Sequence, residues 1–186
     1  MASKKYIRDY DLVETEDEQG RVKKTAVYRG DYFTINLDES QIKQFKRDSI
    51  LLTLAILLIQ VAGGFVANPG MYKIFIALPY TAAFLPLLYL TMAVFRLPDE
   101  KRPFRKEEVG LSYERIKTSN LLYLIFTIVG WLGTLIYLLF LRGDQAAMLD
   151  LIYLALITFS AVLAWLIHRK AKIIEITTVE KAANEE

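Results

Sequence analysis

The sequence predicts an α-helical integral membrane protein, in which four transmembrane helices form an up-down bundle and a small cytoplasmic antiparallel β-sheet lies at the N-terminus. The 186 residues are 54% hydrophobic and also 24% charged. Such a composition indicates that apolar blocks in lipid alternate with charged blocks in water. Four stretches of the chain are apolar enough, and long enough, to cross the ~30 Å hydrocarbon core of a bilayer.

The N-terminal segment, residues 1–37, has the pattern of β-strands. Apolar side chains alternate there with polar ones, which is the period of two typical of a strand. Polar turn residues at 16–20 and 29–31 divide the segment. We therefore predict a cytoplasmic meander of three antiparallel strands, at residues 8–15, 21–29 and 32–36.

Helices account for most of the remaining chain. Residues 38–49 are predicted to form a stalk or interfacial helix that leads into the first span. Its N-terminus has the spacing of a capping box, with Asp38 as the cap and Gln41 three residues later. The transmembrane domain then covers residues 50–167, with spans at about 50–67, 72–95, 120–141 and 148–167 and a cytoplasmic loop at 96–119.

The C-terminal segment, residues 168–186, is predicted to be a cytoplasmic tail. Its residues 172–180 are rich in β-branched side chains, which favour a strand. One interpretation is an extra strand at 172–180 that joins the N-terminal sheet. The alternative is that the fourth helix continues beyond the lipid.

The distribution of basic residues predicts the orientation. Lysine and arginine gather before the first span, between the second and third spans, and after the fourth span. The two short connections contain only Lys73 and Arg142. Because basic loops stay on the cytoplasmic side, we expect both termini and the long loop in the cytoplasm, with the chain in the inner membrane of a bacterium.

Two prolines, Pro79 and Pro86, lie inside the second span. Each removes one backbone hydrogen bond and is expected to bend the helix. A gating hinge and a fixed kink that shapes helix packing are both consistent with this pattern. Proline is common in membrane helices, which favours the fixed kink.

Gln60 is the candidate polar contact within the membrane, because it lies near the middle of the first span. Buried polar side chains in membranes commonly join helices, and we expect a bond to a tyrosine such as Tyr89 or Tyr137. The alternative is a substrate ligand. Asp150 and Lys73 lie near the outer, non-cytoplasmic ends of their helices, where they could form an ion pair.

Small residues at regular spacing predict where helices approach closely. The candidate helix-packing residues are Gly63, Ala67, Gly130, Gly133, Thr134, Ser160 and Ala164. Basic residues next to the spans are candidates for contact with lipid head groups or an acidic partner. These are Lys101, Arg102, Arg105, Lys106, Arg169 and Lys170.

The sequence has no motif for catalysis, cofactor, metal or nucleic-acid binding. We therefore expect a non-enzymatic accessory, scaffold or regulatory subunit, whose partners are membrane lipids and either another protein or further copies of itself. The alternative is a small transporter or channel that works as an oligomer. The helix number is similar to that of small multidrug exporters, but these use a carboxylate in their first helix, where this chain has Gln60.

Overall fold

The computed structural model describes residues 4–16, 22–141 and 148–179. Within these ranges the chain is mostly helical, and four helical units are long and apolar enough to cross a membrane. The α-helices are α1 (Glu39–Phe65), α2 (Ile74–Phe95), α3 (Lys106–Leu111), α4 (Tyr113–Ile136) and α5 (Met148–Lys172). Helices α3 and α4 and a π-helical segment, Tyr137–Leu141, form the third long unit.

The four long helices form a bundle in which neighbours run antiparallel. Helix α1 packs against α2 and α5, and α4 also packs against α2 and α5. Consequently α1 and α4 occupy opposite corners, as do α2 and α5. This is the predicted up-down arrangement.

The stalk and the first span are one continuous helix. At its start, Oε1 of Gln41 accepts the backbone N–H of Asp38 at 2.9 Å, which is the bond expected of a capping box. The helix ends at Phe65, slightly before the predicted boundary, and a 3₁₀ turn, Pro69–Tyr72, connects it to α2. We call the end of the bundle where this turn lies the turn end.

The strands form two small antiparallel sheets rather than the single predicted meander. Strands β1 (Tyr10–Glu16) and β2 (Val22–Tyr28) make a hairpin. Strand β3 (Tyr32–Ile35) instead lies between β4 (Phe104–Arg105) and β5 (Ile176–Val179). The meander prediction is wrong because this pairing lets Ile35 and Phe104 join the apolar core of the bundle, where they are buried.

The tail combines the two structures that the sequence left open. Helix α5 continues to Lys172, and strand β5 follows after a short turn. The register pairs Ile35 with Ile176 and Tyr32 with Val179. The β4-β3-β5 sheet is therefore built from the N-terminal segment, the long loop and the tail. We call the end of the bundle where this sheet lies the sheet end. Residue 180, the last of the predicted strand, lies outside the described residues.

The outward faces of the long helices are apolar. Leu58 is 71% exposed and Leu78 is 62% exposed, and Leu132 and Leu151 are about half exposed. An apolar surface of this extent is unfavourable in water and is typical of contact with lipid or with another protein. Together with the length of the helices, it suggests a membrane protein.

Candidate functional site

Gln60 lies at the centre of the bundle and joins α1 to α2 by two hydrogen bonds. Its Nε2 donates to the backbone carbonyl of Tyr80 at 3.1 Å. In return, the Tyr80 hydroxyl donates to the backbone carbonyl of Gln60 at 2.7 Å. The side chain of Gln60 is buried, so these bonds satisfy groups that hydrocarbon could not.

Tyr123 extends the same group of bonds across the diagonal of the bundle. Its hydroxyl, on α4, donates to Oε1 of Gln60 at 3.0 Å and lies 2.5 Å from Oγ of Ser160 on α5. A tyrosine hydroxyl has one proton, which Tyr123 donates to Gln60. Ser160 is therefore the donor in the second bond. We call Gln60, Tyr80, Tyr123 and Ser160 the polar node, and it contacts all four long helices.

The structure thus gives Gln60 the interhelical position that the sequence predicted, but with different tyrosines. Tyr89 is half exposed, and its ring lies 5.6 Å from the guanidinium carbon of Arg115. Tyr137 packs at the turn end, near Gly70. Tyr123 was missed because the third helix begins before residue 120, which places Tyr123 deeper along the bundle than the predicted boundary implied.

Helices α2 and α4 pack closely where Gly133 meets the start of α2. A Cβ atom on Gly133 would lie 2.9 Å from the carbonyl oxygen of Phe75. Pro79 has no N–H to donate to this carbonyl, which is four residues earlier. Helix α2 nevertheless continues through Pro79 and Pro86, and both prolines are buried. The fixed kink at these two prolines, favoured over a gating hinge, stays a prediction.

The other small residues have varied surroundings. Gly63 faces the rings of Tyr153 and Tyr80, and the carbonyl of Ala164 accepts Nδ2 of Asn120 at 2.9 Å. Thr134 is fully buried and donates to the carbonyl of Gly130, within its own helix, at 2.9 Å. Ala67 lies beyond the end of α1 and is exposed, so it does not belong to the packed surface within this chain.

Two of the six basic candidates are held by carboxylates of the same chain. Arg102 makes a bidentate pair with Glu108, at 2.7 and 3.0 Å, and Lys170 pairs with Asp48 at 2.5 Å. Burial raises the pKa of Glu108, but the hydrogen bonds from Arg102 and from the Arg105 N–H outweigh it, so the pKa lies below its usual value. The hydrogen bond from Lys170 likewise lowers the pKa of Asp48.

The other four basic candidates are exposed. The guanidinium of Arg105 lies 5.5 Å from the ring centre of Tyr28, and that of Arg169 lies 5.0 Å from the ring of Trp165. Lys101 precedes β4 and Lys106 begins α3, and both side chains are exposed. These four remain the predicted contacts with lipid head groups or an acidic partner.

Asp150 is fully buried at the turn end, where its Oδ1 accepts the backbone N–H of Gly70 at 3.1 Å. None of the ion pairs among the described residues joins it to Lys73, which is exposed, so the predicted pair is wrong. Its partner comes from the 3₁₀ turn because that turn folds back against the start of α5.

The described part of the chain has no group of three or more histidine, aspartate or glutamate side chains placed to hold a metal ion. No protein-family model, no curated protein and no solved structure matches the chain. The proposals for function therefore rest on the geometry of this chain alone.

Proposed function

We propose that the chain is an integral protein of the bacterial inner membrane, with both termini and the loop at 96–119 in the cytoplasm. The β4-β3-β5 sheet supports this orientation, because it joins the N-terminal segment, the loop and the tail at one end of the bundle. The basic residues that flank the helices concentrate at the same end. Basic segments of this kind stay in the cytoplasm.

We further propose a non-enzymatic accessory, scaffold or regulatory subunit that binds a protein partner through this sheet end. The observation that carries the proposal is the β1–β2 hairpin, which is fixed at its base and carries exposed apolar side chains beyond it. Leu12 is 73% exposed and Val27 is 41% exposed. A two-stranded hairpin of this kind is marginal in water by itself, so a partner would stabilise it.

The base of the hairpin is held by its two tyrosines. The Tyr10 hydroxyl donates to Glu107 at 3.1 Å, and the Tyr28 hydroxyl accepts the backbone N–H of Lys106 at 3.1 Å. The rings of Tyr28 and Tyr32 also meet edge to face, 5.3 Å apart. These contacts fix the direction in which the hairpin leaves the bundle, which is useful for a docking element.

Strand addition is the docking mode that this surface fits. Leu12 pairs with Ala26 across the hairpin, which continues the face of Tyr10 and Tyr28 away from the bundle. Within the described residues, β1 and β2 pair only with each other, so both are edge strands. An extended segment of a partner can pair with either of these edges and place apolar side chains against Leu12.

The alternative is a small transporter or channel that works as an oligomer. One observation favours it, the fully buried carboxylate of Asp150, since acids within membrane helices often mark ion pathways. The polar node does not favour this alternative, because both polar atoms of the Gln60 side chain already bond within the chain.

The test is recovery of a partner from the native membrane in mild detergent, with the tagged chain at its native expression level. Leu12→Glu is expected to lose the partner. Ile173→Glu is the matched control, because Ile173 is 69% exposed at the same end but lies outside the hairpin. A chain that runs alone and monodisperse, or a Leu12→Glu variant that recovers the partner fully, would contradict the proposal.

A further inference from the structure

A small cavity lies beside the polar node, between α1, α2 and α5. Gln60, Gly63, Tyr80, Tyr153 and Ser160 contribute to its lining. Its volume is about 10 Å³. That is close to the smallest space that holds one water molecule.

Tyr153, one of the lining residues, has a buried hydroxyl without a partner among the described residues. Its side chain is 1% exposed, and its hydroxyl has no hydrogen bond to the described residues. Its ring lies next to Gly63, and the ring of Tyr80, whose centre is 6.2 Å away, lies next to the same glycine. Buried hydroxyls in folded proteins nearly always have a partner, and an ordered water molecule is a common one.

The polar node leaves suitable partners free around this cavity. Nε2 of Gln60 has two protons, of which the bond to the Tyr80 carbonyl uses one. Oγ of Ser160 donates its proton to Tyr123 and keeps its lone pairs. A water molecule in the cavity would therefore meet a donor, an acceptor and the Tyr153 hydroxyl, within the two to four partners that a buried water needs.

We propose that the cavity binds one water molecule, which bridges the Tyr153 hydroxyl to Gln60 and Ser160. The water extends the polar node to a fifth side chain and brings α5 into it at a second position. It also gives a reason for glycine at position 63, because a larger residue would fill the space that the water occupies.

Tyr153→Phe tests this through the sign of its effect on thermal unfolding of the full chain in detergent. If the water is bound, the variant loses one of the bonds of the water, and the unfolding midpoint falls by about 2–4 °C. If the cavity is dry, the variant removes a hydroxyl that had no partner, and the midpoint rises. A rise would overturn the proposal.

Tyr113→Phe is the matched control. Tyr113 is 2% exposed and its hydroxyl also has no partner among the described residues, but it stacks on Phe45 and does not line this cavity. Its midpoint is expected to rise or stay unchanged. A fall equal to that of Tyr153→Phe would show that loss of any buried hydroxyl destabilises the chain, which would overturn the proposal.

A second variant, Gly63→Ala, displaces the water without a clash. Its methyl group would lie 3.5 Å from the Tyr153 ring and 3.8 Å from the Tyr80 ring. We expect a lower midpoint, although alanine is the better helix former. Gly130→Ala is the control, since its methyl has similar room at 3.4 and 3.7 Å but lies outside the cavity. Equal gains in the two variants would contradict the bound water.

A high-resolution structure of the wild-type chain gives the direct observation. We expect a density peak within hydrogen-bonding distance of the Tyr153 hydroxyl and of Gln60, and no peak in Tyr153→Phe. Ordered side chains around an empty cavity in the wild type would overturn the proposal.

Discussion

The hydroxyl of Tyr123 donates a hydrogen bond to Oε1 of Gln60 over 3.0 Å, across the diagonal between α1 and α4. These two helices otherwise have little direct contact, because α2 and α5 lie between them. One bond of this kind fixes both the depth and the rotation of two helices. The bond is directional, unlike the hydrophobic contacts around it, so it constrains how α1 and α4 are set relative to each other.

Gln60→Leu is expected to destabilise the bundle by about 1–3 kcal/mol, because it removes the buried hydrogen bonds that Gln60 makes with the Tyr123 hydroxyl and the Tyr80 carbonyl. The measurement is the free energy of unfolding in detergent. Tyr123→Phe alone and the double variant complete the cycle. We expect a coupling of about 1 kcal/mol between the two sites. Strictly additive losses would contradict a direct bond.

Gly133→Ala is expected to destabilise the contact between α2 and α4. The new methyl group would lie 2.9 Å from the Phe75 carbonyl, so one helix must shift. Overpacking of this kind costs about 1–3 kcal/mol. The free energy of unfolding measures the loss, and Gly130→Ala is the control on the same helix. Equal stability of the two variants would contradict the close approach at Gly133.

Phe104→Ala is expected to loosen the β4-β3-β5 sheet from the bundle. Phe104 is 1% exposed in the core, and its truncation costs about 3–5 kcal/mol when the cavity stays open. The measurement is the rate of limited proteolysis in the tail after residue 172, which should rise. Phe140→Ala is the control, since Phe140 is 78% exposed. An unchanged rate would show that Phe104 does not hold the sheet.

The ion pair between Asp48 and Lys170 gives a dependence on pH. The folded chain lowers the pKa of Asp48, so the pair stabilises the fold above the unfolded pKa of roughly 3.9. This stabilisation is lost as the pH falls from that value through the lower, folded pKa. We expect the unfolding midpoint of wild type to approach that of Asp48→Asn across this range. A constant difference between the two chains would contradict the assignment.

The sequence predicted the features that depend on local pattern. The length of the apolar stretches predicted the four long helices, and the spacing of Asp38 and Gln41 predicted the start of α1. The pairing of Ile35 with Ile176 could not be derived in the same way, because it joins segments far apart in the chain. Strand β4 has only two residues, Phe104 and Arg105, and lies in a charged loop where no alternation marks it.

The polar node was predictable in part for a similar reason. The position of Gln60 in an apolar stretch indicated a bond between helices. The identity of its partners depends on the depth and rotation of α4, which begins at Tyr113. Tyr153 carries no signal in the sequence, since a tyrosine in an apolar helix is equally consistent with simple packing.

The orientation is the central claim, and labelling of single cysteines tests it most directly. The chain has no cysteine of its own, so each introduced thiol is unique. With a membrane-impermeant maleimide added outside intact cells, Lys73→Cys is predicted to react, and Lys101→Cys and Thr178→Cys only after the membrane is opened. Labelling of either of the last two in intact cells would contradict the account.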